Sequence, residues 1–139
     1  MSDRFCIDTS AWHRKDQVSV AEALIARLDA DEISMCDQVR LEVLYSARSA
    51  TDYDAIADEL SALHPVPCDG KTFKRALEIQ QALAHAAGLH HRSVTIADLI
   101  IAAAAEAAGD IVWHYDEDFD RIAAVTGQRC EWIAPRGSL

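Results

Sequence analysis

Short uninterrupted apolar runs alternate along this chain with longer stretches in which apolar side chains recur every three or four residues. The first pattern predicts buried strands and the second predicts amphipathic helices. Arg4 to Ile7 reads as a strand that stops at Asp8, after which Thr9, Ser10, Ala11 and Trp12 turn away. A helix is expected from about Gln17 to Ala30, with Val20, Leu24, Ile25 and Leu28 on one apolar face. Ile33 to Cys36 is a second strand, and Asp37 is placed to cap a helix running through Val39, Val43, Leu44 and Ala47, with Glu42 inside it. A further helix begins near Thr51 and buries Tyr53, Ile56, Leu60 and Leu63. His64 to Cys68 is extended, and Pro65 and Pro67 favour an edge position. Asp69 caps a long helix carrying Phe73, Ala76, Leu77, Gln80, Leu83 and Ala84 and ending at Gly88. After the loop Leu89 to Val94, Thr95 starts an alanine-rich helix that stops at Gly109 and should be largely buried. Asp110 to Tyr115 reads as a central strand, Asp116 to Asp118 as an acidic loop, and Phe119, Ile122 and Val125 as a short helix. Glu131 to Ala134 supplies a last strand.

This alternation predicts an α/β fold with a mostly parallel sheet covered on both faces. In open sheets of that kind, ligands bind beyond the carboxyl ends of the strands, where helix N-termini also point. Asp8 and Asp116 directly follow strands and so fall on that edge.

The length of 139 residues fits a single domain, spanning 1–139, with one site. No apolar run reaches the roughly 20 residues of a membrane span, and Met1 to Arg4 lead into the first strand without a signal segment. A cytoplasmic location is expected. Cys6, Cys36, Cys68 and Cys130 form no CxxC pair and fall in or beside strands, as small buried hydrophobes in a reducing compartment would. The net charge of −10 argues against a broad basic surface gripping nucleic acid. It does not exclude a nuclease, because a cation held among acids reverses the local field. It also suits a basic protein partner.

Asp8, Glu42, Asp98 and Asp116 are the candidate chemical groups. Carboxylates gathered in one pocket either raise their pKa values or take up a cation, and hard oxygen donors suit Mg²⁺ or Mn²⁺. Each acid alone has an ordinary explanation. Asp8 fits a helix cap; Thr95 and Asp98 match the start of a capping box; Asp116, Glu117, Asp118 and Asp120 fit a solvated acidic loop at a helix N-terminus. Glu42 has apolar neighbours and needs a partner, with Arg40 or Arg48 as ion-pair options. His85 and His114 are read as packed side chains rather than metal ligands.

Together, FCIDTSAW, RLEVLYSAR, TIADLIIAAAA and IVWHYDEDFDRIA stand in the order and spacing of PIN-domain ribonucleases. Over essentially its whole length the chain resembles, within them, the VapC toxins of type II toxin–antitoxin systems. The resemblance implies a three-layer α/β/α fold. It carries the acidic site onto Asp8, Glu42, Asp98 and Asp116, with metal contacts from Asp8, Asp98 and Asp116 and from Asp118 behind Asp116. It implies hydrolysis of an RNA phosphodiester by metal-activated water, leaving 5′-phosphate and 3′-hydroxyl ends, with Mg²⁺ as cofactor and Mn²⁺ able to substitute. Thr9 or Ser10 would add a hydroxyl hydrogen bond to a carboxylate or a phosphate, the alternative being to cap the following turn. Arg92, in the loop with His90 and His91, is the leading basic group for positioning RNA. The implied partners are a VapB-like antitoxin whose basic side chain enters the acidic groove and a second copy in a homodimer. The helix of Tyr53, Ile56 and Leu60 would serve either surface or simply the core.

Two other functions fit parts of the chain. Aspartyl-phosphate phosphatases also place an Asp after a first parallel strand, but they want a second Asp two residues on, where this chain has Ser10. A non-catalytic PIN-like binding module would keep the acids for structure alone.

Overall fold

The computed structural model describes residues 3–139. Five strands, β1 (Phe5–Ile7), β2 (Ile33–Cys36), β3 (His64–Val66), β4 (Ile111–His114) and β5 (Cys130–Trp132), form one parallel sheet in the order β3-β2-β1-β4-β5. Every residue of β1, β2 and β4 is buried, which requires cover on both faces. The cover comes from α1 (Thr9–Trp12), α2 (Val18–Asp29), α3 (Asp37–Tyr45), α4 (Ala50–Leu60), α5 (Gly70–His85), α6 (Ile96–Ala108) and α7 (Asp118–Thr126), with a 3₁₀ turn at His90–Arg92. The result is a three-layer α/β/α fold. No helix among the described residues is long and apolar enough to cross a membrane.

The strand order reverses direction beside β1. Successive connections carry the chain from β1 to β2 and β3 on one side, then return it to β4 on the other. Asp8 and Asp116 leave the sheet at this reversal, and the Asp8 N–H bonds to the Trp113 carbonyl at 2.9 Å. Such a reversal opens a crevice between the two connections.

Helix α6 is the apolar pillar of one layer, buried from Asp98 through Ala105. Thr95 caps its start through a 3.2 Å bond from the Asp98 N–H, and Gly109, at φ 72°, closes it in the left-handed conformation that glycine adopts without strain. Asp69 and Thr72 form a reciprocal capping box on α5, as the sequence predicts for Asp69. β3, with its prolines, is an edge strand as expected.

Several expectations need correction. Asp37 lies inside the first turn of α3, and its Oδ2 accepts the Cys68 N–H at 3.0 Å, tying the end of β2 to the segment after β3 instead of capping. Helix α3 stops at Tyr45, short of Ala47, and α4 starts at Ala50 under a Ser49 cap. Ile25 and Leu28 are exposed: α2 buries a narrow Val20 and Leu24 stripe, and Arg27 covers the Phe5 ring at 4.2 Å. Tyr53 is exposed because α4 packs through its later half, where Leu60 is fully buried. Phe73 and Leu77 are exposed, the buried face of α5 being Thr72, Ala76, Ile79 and Leu83. That helix ends at His85, short of Gly88, and His85 is itself exposed. The last strand, Cys130–Trp132, starts one residue earlier than expected and leaves Ile133 and Ala134 buried beyond it.

Candidate metal centre

At the carboxyl edge, three segments remote in sequence deliver carboxylates into one crevice. Asp8 ends β1 and caps α1, Asp98 occupies the first turn of α6, and Asp116 and Asp118 bracket the turn from β4 into α7. Ligand oxygens of Asp98, Asp116 and Asp118 all lie within 4.8 Å of one another. Asp118, ranked behind Asp116 from sequence, is therefore part of the tight group. Asp8 adjoins it closely enough for its charge to act on Asp98, and Glu42, from α3, feels the charge of Asp8 but is not part of the tight group.

The electrostatics follow from crowding and burial. Burial first, then the charges of Asp8 and its neighbours, push Asp98 up to about 9. Burial also raises Asp8, Glu42 and Asp116, with Asp116 adding to the shift of Asp8 and Asp8 to that of Glu42. Asp8 Oδ1, Glu42 Oε1 and Asp98 Oδ2 are buried with no hydrogen-bond partner. Buried acceptors are normally satisfied, so the orphan oxygens of Asp8 and Asp98 beside the Asp116–Asp118 turn fit a hard divalent cation with oxygen ligands, while Glu42 has Thr9 and Gln38 as polar neighbours.

The remaining polar contacts hold these acids in place. Ser10 Oγ donates to Asp8 Oδ2 at 2.6 Å and accepts the Tyr115 N–H at 2.9 Å, so one hydroxyl clamps the ends of β1 and β4 together. Of the two possibilities for Ser10, the structure thus shows the bond to a carboxylate. Thr9 Oγ1 is buried beside Glu42 without a partner. Asp116 Oδ1 accepts the Asp118 N–H at 2.9 Å, and Arg121 Nη1 donates to Asp118 Oδ1 at 2.9 Å. The Thr95 N–H, which a reciprocal capping box would give to Asp98, faces Asp118 Oδ2 at 3.4 Å. The carboxylate of Asp98 is thereby left for the crevice.

His114 is packed, as expected, between the rings of Phe119 and Trp132 at 5.0 Å from each, and burial lowers its pKa to about 4. Its Nδ1 accepts the Asp116 N–H at 3.2 Å, which fixes the start of the acidic turn. The basic groups take different places. Arg92 is exposed on the 3₁₀ turn, Arg40 Nη2 points to the Leu60 carbonyl at 3.5 Å, and the Arg48 N–H bonds Asp52. Neither Arg40 nor Arg48 makes an ion pair with Glu42 among the described residues. Arg121 pairs with Asp118 and Arg14 lines a basin with Asp116, and sequence reasoning named neither. Arg121 was legible as the i+3 partner of Asp118, whereas nothing local marks Arg14, which reaches the site by folding over Tyr115.

The cysteines are free thiols, Cys6 and Cys36 fully buried, and contact with the Cys6 thiol is the main reason that Cys36 is pushed up to about 12.

The PIN domain family profile matches residues 5–125 of the chain. The chain belongs to the PIN-domain family. Within it, the chain falls among the VapC proteins: it is 64% identical over 135 residues to Ribonuclease VapC18 of Mycobacterium tuberculosis, covering 97% of this chain and 98% of that one. Ribonuclease VapC51 of the same organism is 40% identical over 139 residues, covering 100% and 99%. A DNA-bound VapBC structure from Salmonella typhimurium shares the fold, with a TM-score of 0.72 at 19% identity over 96% of this chain and 100% of that one. Membership in the PIN family leaves the aspartyl-phosphatase alternative without support, and Ser10 is spent on holding Asp8.

Proposed function

We propose that this PIN domain is the toxin of a type II toxin–antitoxin pair and that it acts as an endoribonuclease dependent on a divalent cation, Mg²⁺ with Mn²⁺ as substitute. The observation that carries this is the crevice in which Asp98, Asp116 and Asp118 converge while Asp8, Glu42 and Asp98 keep unpartnered oxygens. The names of the VapC ribonucleases that the chain resembles over nearly its full length support the activity class. Asp8, Asp98, Asp116 and Asp118 would hold the cation. When bound, it would supply Lewis acidity, lowering the pKa of water and neutralising charge on the phosphate. Glu42, whose raised pKa brings it nearer to working pH, takes the proton from the attacking water, and Ser10 and Arg121 keep Asp8 and Asp118 oriented.

A VapB-like antitoxin as partner is supported by the VapBC assembly with the same fold, and by exposed Leu41 and Tyr45 on the groove beside Glu42 and Thr9. A homodimer is supported by the apolar groove between α5 and α6, where Phe73, Leu77 and Ile96 are exposed. We further infer one domain working in the cytoplasm. Purified partner-free protein, incubated with total RNA and Mg²⁺ or Mn²⁺ while new 5′ ends are mapped, should cut RNA, and Asp98→Asn should not. Equal cleavage by both proteins would remove the assignment.

A further inference from the structure

Beside the acidic crevice lies a shallow basin in which Arg14 and Arg136 stand with Asp116 and Glu117 around two aromatic rings. Arg14 stacks 4.5 Å from the centre of the Tyr115 ring, Tyr115 meets Trp132 edge to face at 5.3 Å, and Arg136 sits 5.7 Å from the Trp132 ring. Asp116 lines the same basin, so it begins where the acidic group ends. The two arginines are not equivalent. Arg136 is paired with Glu117 and Asp120. Arg14 forms no ion pair with a carboxylate among the described residues; its polar contact is a 2.7 Å bond to the Ser10 carbonyl. In a chain of net charge −10, a guanidinium without an ion-pair partner among the described residues lies between an aromatic face and the residue that clamps Asp8.

We propose that this basin is the subsite for the nucleotide next to the scissile phosphate of single-stranded RNA, with Arg14 pairing that nucleotide's phosphate and the Tyr115–Trp132 pair receiving its base. The proposal rests on the nuclease function above. A polyanion approaching clustered carboxylates is repelled unless a cation faces its backbone, and a guanidinium fork matches phosphate geometry. Aromatic surfaces beside such a cation give bases a sequence-tolerant stacking platform. The tie through Ser10 fixes the distance between this anchor and Asp8, so a strand seated on Arg14 presents its neighbouring phosphate to the acids.

The test uses a single-stranded RNA oligonucleotide containing a site that the parent protein cuts. Arg14→Ala should raise KM about tenfold with kcat within about twofold, and flatten the slope of log kcat/KM against log salt by about 0.7, the value of one single-strand phosphate contact. Arg14→Lys should keep the salt slope. An oligonucleotide abasic beside the cleaved bond should raise the parent's KM similarly. Binding of labelled oligonucleotide to Asp98→Asn, with and without Arg14→Ala, reads the subsite independently of cleavage, so failure of the nuclease function is seen separately from failure of the subsite. Unchanged KM, salt slope and binding in an Arg14→Ala protein that melts like the parent would overturn the proposal. Arg14→Gln repeats the measurement if the alanine variant melts early. RNA binding unchanged while antitoxin binding weakens would assign the basin to a protein and equally overturn it.

Discussion

Asp98 and Asp110 are buried to the same degree, 7% and 6% exposed, at opposite ends of the sheet, yet their surroundings differ completely. At the amino edge, Asp110 is bound by Arg4 Nε at 3.1 Å and by Ser34 Oγ at 2.6 Å, so its charge is matched where β1, β2 and β4 begin. At the carboxyl edge, Asp98 has acids for neighbours and an oxygen with no partner. Burial of a carboxylate is therefore not the mark of a site. The mark is burial without compensation, which the fold tolerates only where something from outside completes the arrangement.

That contrast can be broken most forcefully by exchanging the two acids for their amides. Asp98→Asn should lower RNA cleavage by about 1000-fold, since a cation contributes several kcal/mol to such a transition state and loses a ligand. Asp110→Asn should leave cleavage per folded molecule unchanged and destabilise the protein by about 2–3 kcal/mol in urea melts, because Arg4 loses its charge partner while remaining partly hydrated. Comparable loss of activity from both would erase the distinction. A subtler probe is Ser10→Ala, which removes the hydroxyl between Asp8 and the Tyr115 N–H; Mn²⁺ affinity by titration calorimetry should fall about tenfold.

The pH dependence of stability gives the smallest effect and the clearest sign. Asp98 titrates near 3.8 when unfolded and at about 9 when folded, so between those values the native state holds the extra proton and stability falls as pH rises. Asp8, Glu42 and Asp116 are raised too and act in the same direction. In chelator, melting should drop by on the order of 5 °C from pH 6 to pH 7 on account of these acids, and saturating Mg²⁺ should restore it at pH 7. Asp98→Asn should melt higher than the parent in chelator at pH 8. A melting point in chelator that rises over this range in the parent and in Asp98→Asn alike would contradict the crowded-acid picture.

The strands were legible because a strand buried on both faces is simply a run of apolar residues, as in Phe5 to Ile7 and Ile111 to Trp113. Helical periodicity located the helices but not the width of each buried face. Ile25, Tyr53, Phe73 and Leu77 all satisfy the spacing and all lie outside the contact, since only a neighbouring element decides where a stripe ends. Asp37 shows a similar limit: its sequence position fits a cap, and its partner, the Cys68 N–H, is 31 residues away. At the crevice, Asp8, Asp98 and Asp116 each looked like a cap, and Asp8 and the Thr95–Asp98 pair do cap helices. What local patterns could not reveal is that their carboxylates converge, or that Arg14 lies over Tyr115, because both depend on the order in which strands pair.

The Ser10 clamp joins residues 105 apart in the chain. The pocket has no floor until β4 docks against β1 and the acidic turn follows. Contacts of such long range form late and together. Until β4 is in place the site lacks Asp116 and Asp118, so it is completed only together with the sheet.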